Sequence, residues 1–226
     1  MGGLRAFAAE LVGAFAIVLA GAGAACLDAA TGGRVGPAWA ALAYASATAA
    51  AFYCFPRARG AFNPAVTLAE AGARRLDAVS AVFALVAQLS GAACAGIFLR
   101  AILEGGRPAL LEAPIYLGAC APNGVGYRAA TLAEAVATFF LACAIAASQA
   151  RRRRAMGPLM IGAAALFGAL TAGPLTGGAM NPARAFGPAL AAGHWTRHYV
   201  YWAGPLAGAA LAALLSPYIV AEENNP

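Results

Sequence analysis

Apolar residues run along this chain in long blocks, and polar residues collect between them. Six blocks are long enough to cross a bilayer: Leu4–Leu27, Pro37–Phe55, Ala78–Leu103, Ala129–Ala150, Gly157–Ala172 and Tyr199–Ala221. A crossing helix needs roughly 20 predominantly apolar residues. Small residues recur within the blocks. Gly204 and Gly208 form a small-xxx-small pair, and Gly91 and Gly96 are near neighbours, the composition that lets membrane helices pack closely. Two further apolar segments, Phe62–Ala73 and Met180–Ala192, are too apolar for ordinary loops and too short to cross. A helix of about ten residues spans about 15 Å, half of the roughly 30 Å hydrocarbon core. Two such segments entering from opposite faces meet near the midplane. The pattern predicts an all-α membrane protein with six transmembrane helices and two re-entrant half-helices.

The short segments repeat each other. Gly60-Ala61-Phe62-Asn63-Pro64-Ala65 is answered by Gly178-Ala179-Met180-Asn181-Pro182-Ala183, with one large apolar residue exchanged for another. The likeness extends to Glu10 and Glu134, each followed by a phenylalanine (Phe15, Phe139), and to Gly91-Ala92 and Gly208-Ala209. The chain reads as one channel domain, 1–226, built from a first repeat, 1–104, and a second, 129–226. Each repeat holds three crossings, an odd number, so the second enters from the opposite face. That makes an inverted repeat, a plan found among transport folds.

Composition agrees. Hydrophobic residues form 62% of the chain, charged residues 11%, and the mean hydropathy is +0.71, whereas soluble domains are about a quarter charged. The net charge of +6 comes entirely from arginine. Those arginines sit at the ends of apolar blocks, which speaks for membrane topology and against nucleic acid. Arg5, Arg57, Arg59, Arg74, Arg75 and Arg151–Arg154 fall on one side, and Arg34, Arg100, Arg107, Arg128 and Arg197 on the other. The richer side is cytoplasmic, with both termini. The start reads as an uncleaved first helix. Five cysteines fit no metal site. Cys26, Cys54, Cys94 and Cys143 lie in apolar segments as small packing residues, and Cys120 lies in a loop.

Asn-Pro-Ala at a half-helix tip has a chemical meaning. Asparagine caps the helix with its side-chain oxygen, which leaves its amide to donate into a pore. Proline suits the first turn and has no N–H to waste there. Alanine lets two tips abut. Each tip carries about half a positive charge, so converging tips repel cations, hydronium included. Asn63, Pro64, Ala65, Asn181, Pro182 and Ala183 are the residues of this pore centre. No cofactor is needed.

At this point the chain resembles the major intrinsic protein family, the aquaporins and their glycerol-conducting relatives, over nearly its whole length. The resemblance rests on Asn63-Pro64-Ala65-Val66-Thr67, Asn181-Pro182-Ala183-Arg184, Gln88-x-x-Gly91, Glu10 and Glu134. The stretch Met180–Ala189 with Tyr201-Trp202-x-Gly204-Pro205 is similar to plant tonoplast aquaporins and animal ammonia-permeable relatives. It implies a homotetramer with one pore per subunit and a narrow filter on the outer side. The filter positions are Arg184, Gly178, Ala169 and Tyr44, the last with a one-residue gap before Asn63. Water-selective members carry cysteine or threonine, histidine and phenylalanine at the last three. The family also implies that Glu10 and Glu134 brace re-entrant backbone.

Those departures predict a wider, less polar filter: Ala169 removes a ring, Gly178 removes a side chain, and Tyr44 returns a hydroxyl. Water, ammonia, hydrogen peroxide, methanol or urea then pass. In the competing reading Tyr44 or Arg184 leans into the vacated space and keeps the channel strictly water-selective. Ala185 fits neither the aspartate of glycerol channels nor the serine of water channels. With glycine at 178, mercury has no target there. Cys120 is a candidate to face its copies across a tetramer axis. His194 and His198, flanking Trp195, read as interfacial anchors. A secondary transporter would need a coupling-ion site, and an enzyme a nucleophile with a base; neither pattern is present. Compact length and short termini point to a bacterial inner (plasma) membrane.

Overall fold

A computed structural model describes residues 2–56, 58–149 and 155–220. Arg57, the Arg151–Arg154 run and the last six residues lie outside the described residues. Within them the chain forms eight α-helices: α1 (Gly2–Ala30), α2 (Pro37–Cys54), α3 (Pro64–Gly72), α4 (Ala78–Glu104), α5 (Tyr127–Ser148), α6 (Gly157–Thr176), α7 (Pro182–Ala192) and α8 (Val200–Ile219). Two 3₁₀ turns, Pro108–Leu110 and Tyr116–Gly118, sit in the connection between α4 and α5.

Helix boundaries follow local chemistry. Asp77 caps α4, its carboxylate accepting from the Ser80 N–H at 2.9 Å. Gly177 and Gly193 end α6 and α7 in the left-handed conformation that favours glycine. Five helices, α1, α4, α5, α6 and α8, are long and apolar enough to cross a membrane. The sixth expected crossing, α2, falls short of them. It has 18 residues, among them Trp39, Tyr44, Ser46, Thr48 and Tyr53. The reason is its position: α2 packs on α1 and α6 and buries Tyr44 and Thr48.

The exterior is oily, and the few strongly polar side chains are gathered inside an otherwise apolar core. Val79, Leu132 and Leu214 are each about two-thirds exposed, while Glu10, Gln88 and Glu134 are at most 1% exposed. A protein solvated by lipid has this distribution, since intramembrane polar groups must find partners inside.

Helix packing repeats between the halves. α1 packs on α4 as α5 packs on α8, and α1 on α2 as α5 on α6. The short helices cross over: α3 packs on α8, and α7 on α4. Glycine sets the two matched crossings. A Cβ on Gly91 would strike the carbonyl of Leu11, and one on Gly208 the carbonyl of Ala135.

Arginines at the ends cluster by contact. Arg75 donates to the Ala213 carbonyl at 2.8 Å and pairs with Glu70 at 3.3 Å. Arg100 reaches the Ala191 carbonyl at 2.7 Å and Arg107 that of Ala30 at 3.0 Å.

Candidate functional site

Each half-helix begins at an asparagine in extended conformation. Asn63 Oδ1 accepts from the Ala65 N–H at 3.0 Å, and Asn181 Oδ1 from the Ala183 N–H at 2.9 Å. Proline follows as the first helical residue, at Pro64 and Pro182. A cap of this kind is worth about 1 kcal/mol. The two tips are tied reciprocally. Asn63 Nδ2 donates to the Met180 carbonyl and Asn181 Nδ2 to the Phe62 carbonyl, both at 2.9 Å. This corrects the expectation that each amide is wholly free for the bore. One of its two hydrogens locks the opposite tip, and one remains.

The segments before the tips run against the normal preferences of side-chain-bearing residues. Ala61 and Phe62 have φ of 57° and 56°, and Gly178 and Met180 have φ of 58° and 52°. Such backbone persists only where surroundings dictate it. Two buried glutamates supply the bonds. The Glu10 carboxylate accepts from the N–H groups of Gly60 and Phe62 (the latter at 2.9 Å) and from Gln88 Nε2 at 2.8 Å. Glu134 accepts from Ala179 N–H at 2.9 Å, Met180 N–H at 2.7 Å and Thr176 Oγ1 at 2.6 Å. In the first half Gln88 and Thr67 also bind the Gly60 carbonyl. In the second, Tyr201 donates to the Thr176 carbonyl at 2.6 Å. The bracing roles of Thr176 and Tyr201 are not visible in the sequence, because the repeat does not extend to them.

Beyond the tips lies a cavity of about 360 Å³. Tyr44, Ala169, Gly178 and Arg184, which come from α2, α6, the 177–181 segment and α7, all line it. Its lining does not extend to Asn63 or Asn181. Arg184 is 6% exposed and donates through Nη1 to the Gly118 carbonyl at 3.0 Å. Tyr44 reaches across to the Ala179 carbonyl at 3.0 Å. Gly21 of α1 leaves room for both: a Cβ there would lie 3.1 Å from Arg184 Nε and 3.2 Å from Tyr44 Cδ2.

Two expectations change here. Gly178 is more than a deleted side chain. A Cβ on it would come within 3.0 Å of Ala169 Cα and 3.1 Å of Gly173 Cα, so glycine seats this segment against α6 and takes up part of the space that Ala169 vacates. Cys120 does not face outward toward a copy of the chain. It is 6% exposed, lines the cavity, and has Sγ 3.8 Å from the Gly177 carbonyl. Among the other cysteines Cys26 is buried, whereas Cys54 and Cys94 are exposed on the helix exterior rather than packed inside.

Known proteins resemble this chain in sequence and in fold. The profile of the family described as major intrinsic protein matches residues 1–216. The chain is similar to aquaporin TIP4-4 of Zea mays, 39% identical over 225 residues, covering 95% of this chain and 86% of the relative. It is 40% identical over 190 residues to the probable aquaporin TIP3-2 of Oryza sativa subsp. japonica, covering 82% and 69%. Among solved structures, the aquaglyceroporin from Plasmodium falciparum superposes with a TM-score of 0.84 at 20% identity, covering 96% of this chain and 97% of that one. At that identity the likeness concerns the fold.

Proposed function

The chain belongs to the major intrinsic protein family, and from that premise we propose a passive pore that conducts water together with small uncharged solutes such as ammonia, hydrogen peroxide and urea, and excludes protons and ions. The protein is an aquaporin-type membrane channel and not an enzyme. One observation carries the pore and its exclusion of ions: two asparagine-capped half-helices held tip to tip by reciprocal amide–carbonyl bonds. Their dipole ends converge, which opposes cation passage, while the remaining amide hydrogens of Asn63 and Asn181 are donors to a passing water. The wider solute range is supported by Ala169 and Gly178, which bring no side chain larger than a methyl to the cavity they line.

In this reading Arg184, Tyr44, Ala169 and Gly178 form the filter at the base of the outer cavity, and Glu10 and Glu134 are structural braces. Residues 1–104 and 129–226 are the inverted repeats, four chains assemble as a homotetramer, and both termini are cytoplasmic. The relatives are plant proteins and lend no support to a bacterial inner membrane. The name of the Plasmodium protein refers to glycerol transport by that protein; Ala185 matches neither branch here.

A strictly water-selective pore is the second reading, favoured by the Tyr44–Ala179 bond and by the seating of Gly178 on α6, both of which fill the filter. Stopped-flow permeability of proteoliposomes separates the two. The proposal expects water flux accompanied by ammonia and urea flux above protein-free vesicles. Water flux alone selects the second reading.

A further inference from the structure

α7 touches the Tyr116–Gly118 turn at both of its ends. Near its start, Arg184 donates to the Gly118 carbonyl at 3.0 Å. Just past its end at Gly193, His194 lies face to face with Tyr116, ring centroids 3.8 Å apart and planes 14° from parallel. From Arg184 to the last helical residue, Ala192, the helix rises about 12 Å.

The turn between them is an unusual piece of backbone. Tyr116, Leu117 and Gly118 have φ of 45°, 55° and 70°. Two of the three carry side chains that disfavour this region, so neighbours must impose it. Leu117 is fully buried in a cluster with Ala22, Cys26, Leu99, Leu110 and Ala191. Gly118 lies so close to α1 that a Cβ would come within 2.6 Å of the Ala22 carbonyl. Tyr116 donates its N–H to the Glu112 carbonyl at 2.8 Å, and its side chain is held by the His194 ring. His194 is itself fixed, its N–H donating to the Ala189 carbonyl at 2.9 Å. Among the described residues its buried Nε2 has no hydrogen-bond partner, so stacking rather than hydrogen bonding at that nitrogen sets the ring's place.

We propose that His194, which lies outside the bore, is a positioning residue for Arg184: its ring holds Tyr116, and through it the turn whose Gly118 carbonyl anchors the guanidinium. The proposal rests on the reading of Arg184 as a filter residue. Without the stack the turn relaxes and the carbonyl withdraws. The freed guanidinium then satisfies its donors with water in the cavity it lines, and obstructs the path.

The test is single-channel water permeability in proteoliposomes, normalised to the amount of folded protein. His194→Ala is expected to lower it severalfold, and Tyr116→Ala, which removes the other half of the stack, to do the same. His194→Phe keeps a flat ring and is expected to remain near wild type. The decisive comparison is the double variant His194→Ala/Arg184→Val. If the obstruction is the released guanidinium, the double variant conducts water as well as Arg184→Val alone, a non-additivity that general damage does not produce. Wild-type flux in both alanine variants overturns the proposal. So does a His194→Phe variant as impaired as His194→Ala, or a double variant that stays impaired relative to Arg184→Val. An Arg184→Val channel with unchanged solute range, by contrast, sinks the filter reading itself.

Discussion

Arg184 is almost fully buried, yet one of its nitrogens is met by a neutral backbone carbonyl, so its charge remains directed at whatever occupies the cavity. Replacing it by valine removes the fixed cation and widens the passage. The expected gain is about tenfold in urea or glycerol flux relative to water, equivalent to about 1.4 kcal/mol off the entry barrier, read by solute-specific light scattering. Cys120 shares the same cavity. Burial pushes its thiol up to about 11, with only partial relief from Arg184. Below that value the thiolate is a minority that grows about tenfold per pH unit. Labelling by a thiolate-dependent alkylating reagent is therefore expected to accelerate steadily from pH 7 to 10. A small mercurial is expected to block water flux in the wild type and not in Cys120→Ser, although position 178 offers mercury nothing. The duplicated Asn-Pro-Ala and the arginine beside it were legible in the sequence because a repeat and its neighbour are visible in one dimension. Gly118 and Cys120 were not, since the connection from 105 to 126 has no periodicity to say which of its atoms face inward.

At the scale of elements, the re-entrant segments depend on their glutamates more than on their own propensity. Glu134 is fully buried and terminates three hydrogen bonds. Glu134→Ala orphans two backbone N–H groups, each costing about 1–3 kcal/mol when buried, and leaves the Thr176 hydroxyl only the Ala172 carbonyl, 3.0 Å away. We expect loss of folded protein, seen as a detergent-stability midpoint many degrees lower. Glu134→Gln, which keeps one carbonyl acceptor, is expected to fall between. Six crossings and two half-crossings could be placed from apolar run length, with ends off by only a few residues: Pro64–Gly72 within Phe62–Ala73, and Gly157–Thr176 against Gly157–Ala172. What run length hid was the character of α2. Its tyrosines and threonine look like interruptions in sequence, and in the fold Tyr44 and Thr48 are the inward face.

Across the whole molecule, neither half is self-contained. Each short helix is seated on the last long helix of the other half, and each asparagine bonds the other half's backbone. The sequence shows two copies but not this exchange, because identity between copies says nothing about which copy a contact joins. The exchange has a bearing on biogenesis. α3 leaves the ribosome with its tip partner Met180 and its packing partner α8 still untranslated. A chain ended at residue 104 is accordingly expected to expose residues 60–73 to rapid proteolysis in microsomes, where the full-length chain resists. If the shortened chain proved equally protected, the first re-entrant loop would be able to mature before its counterpart is made.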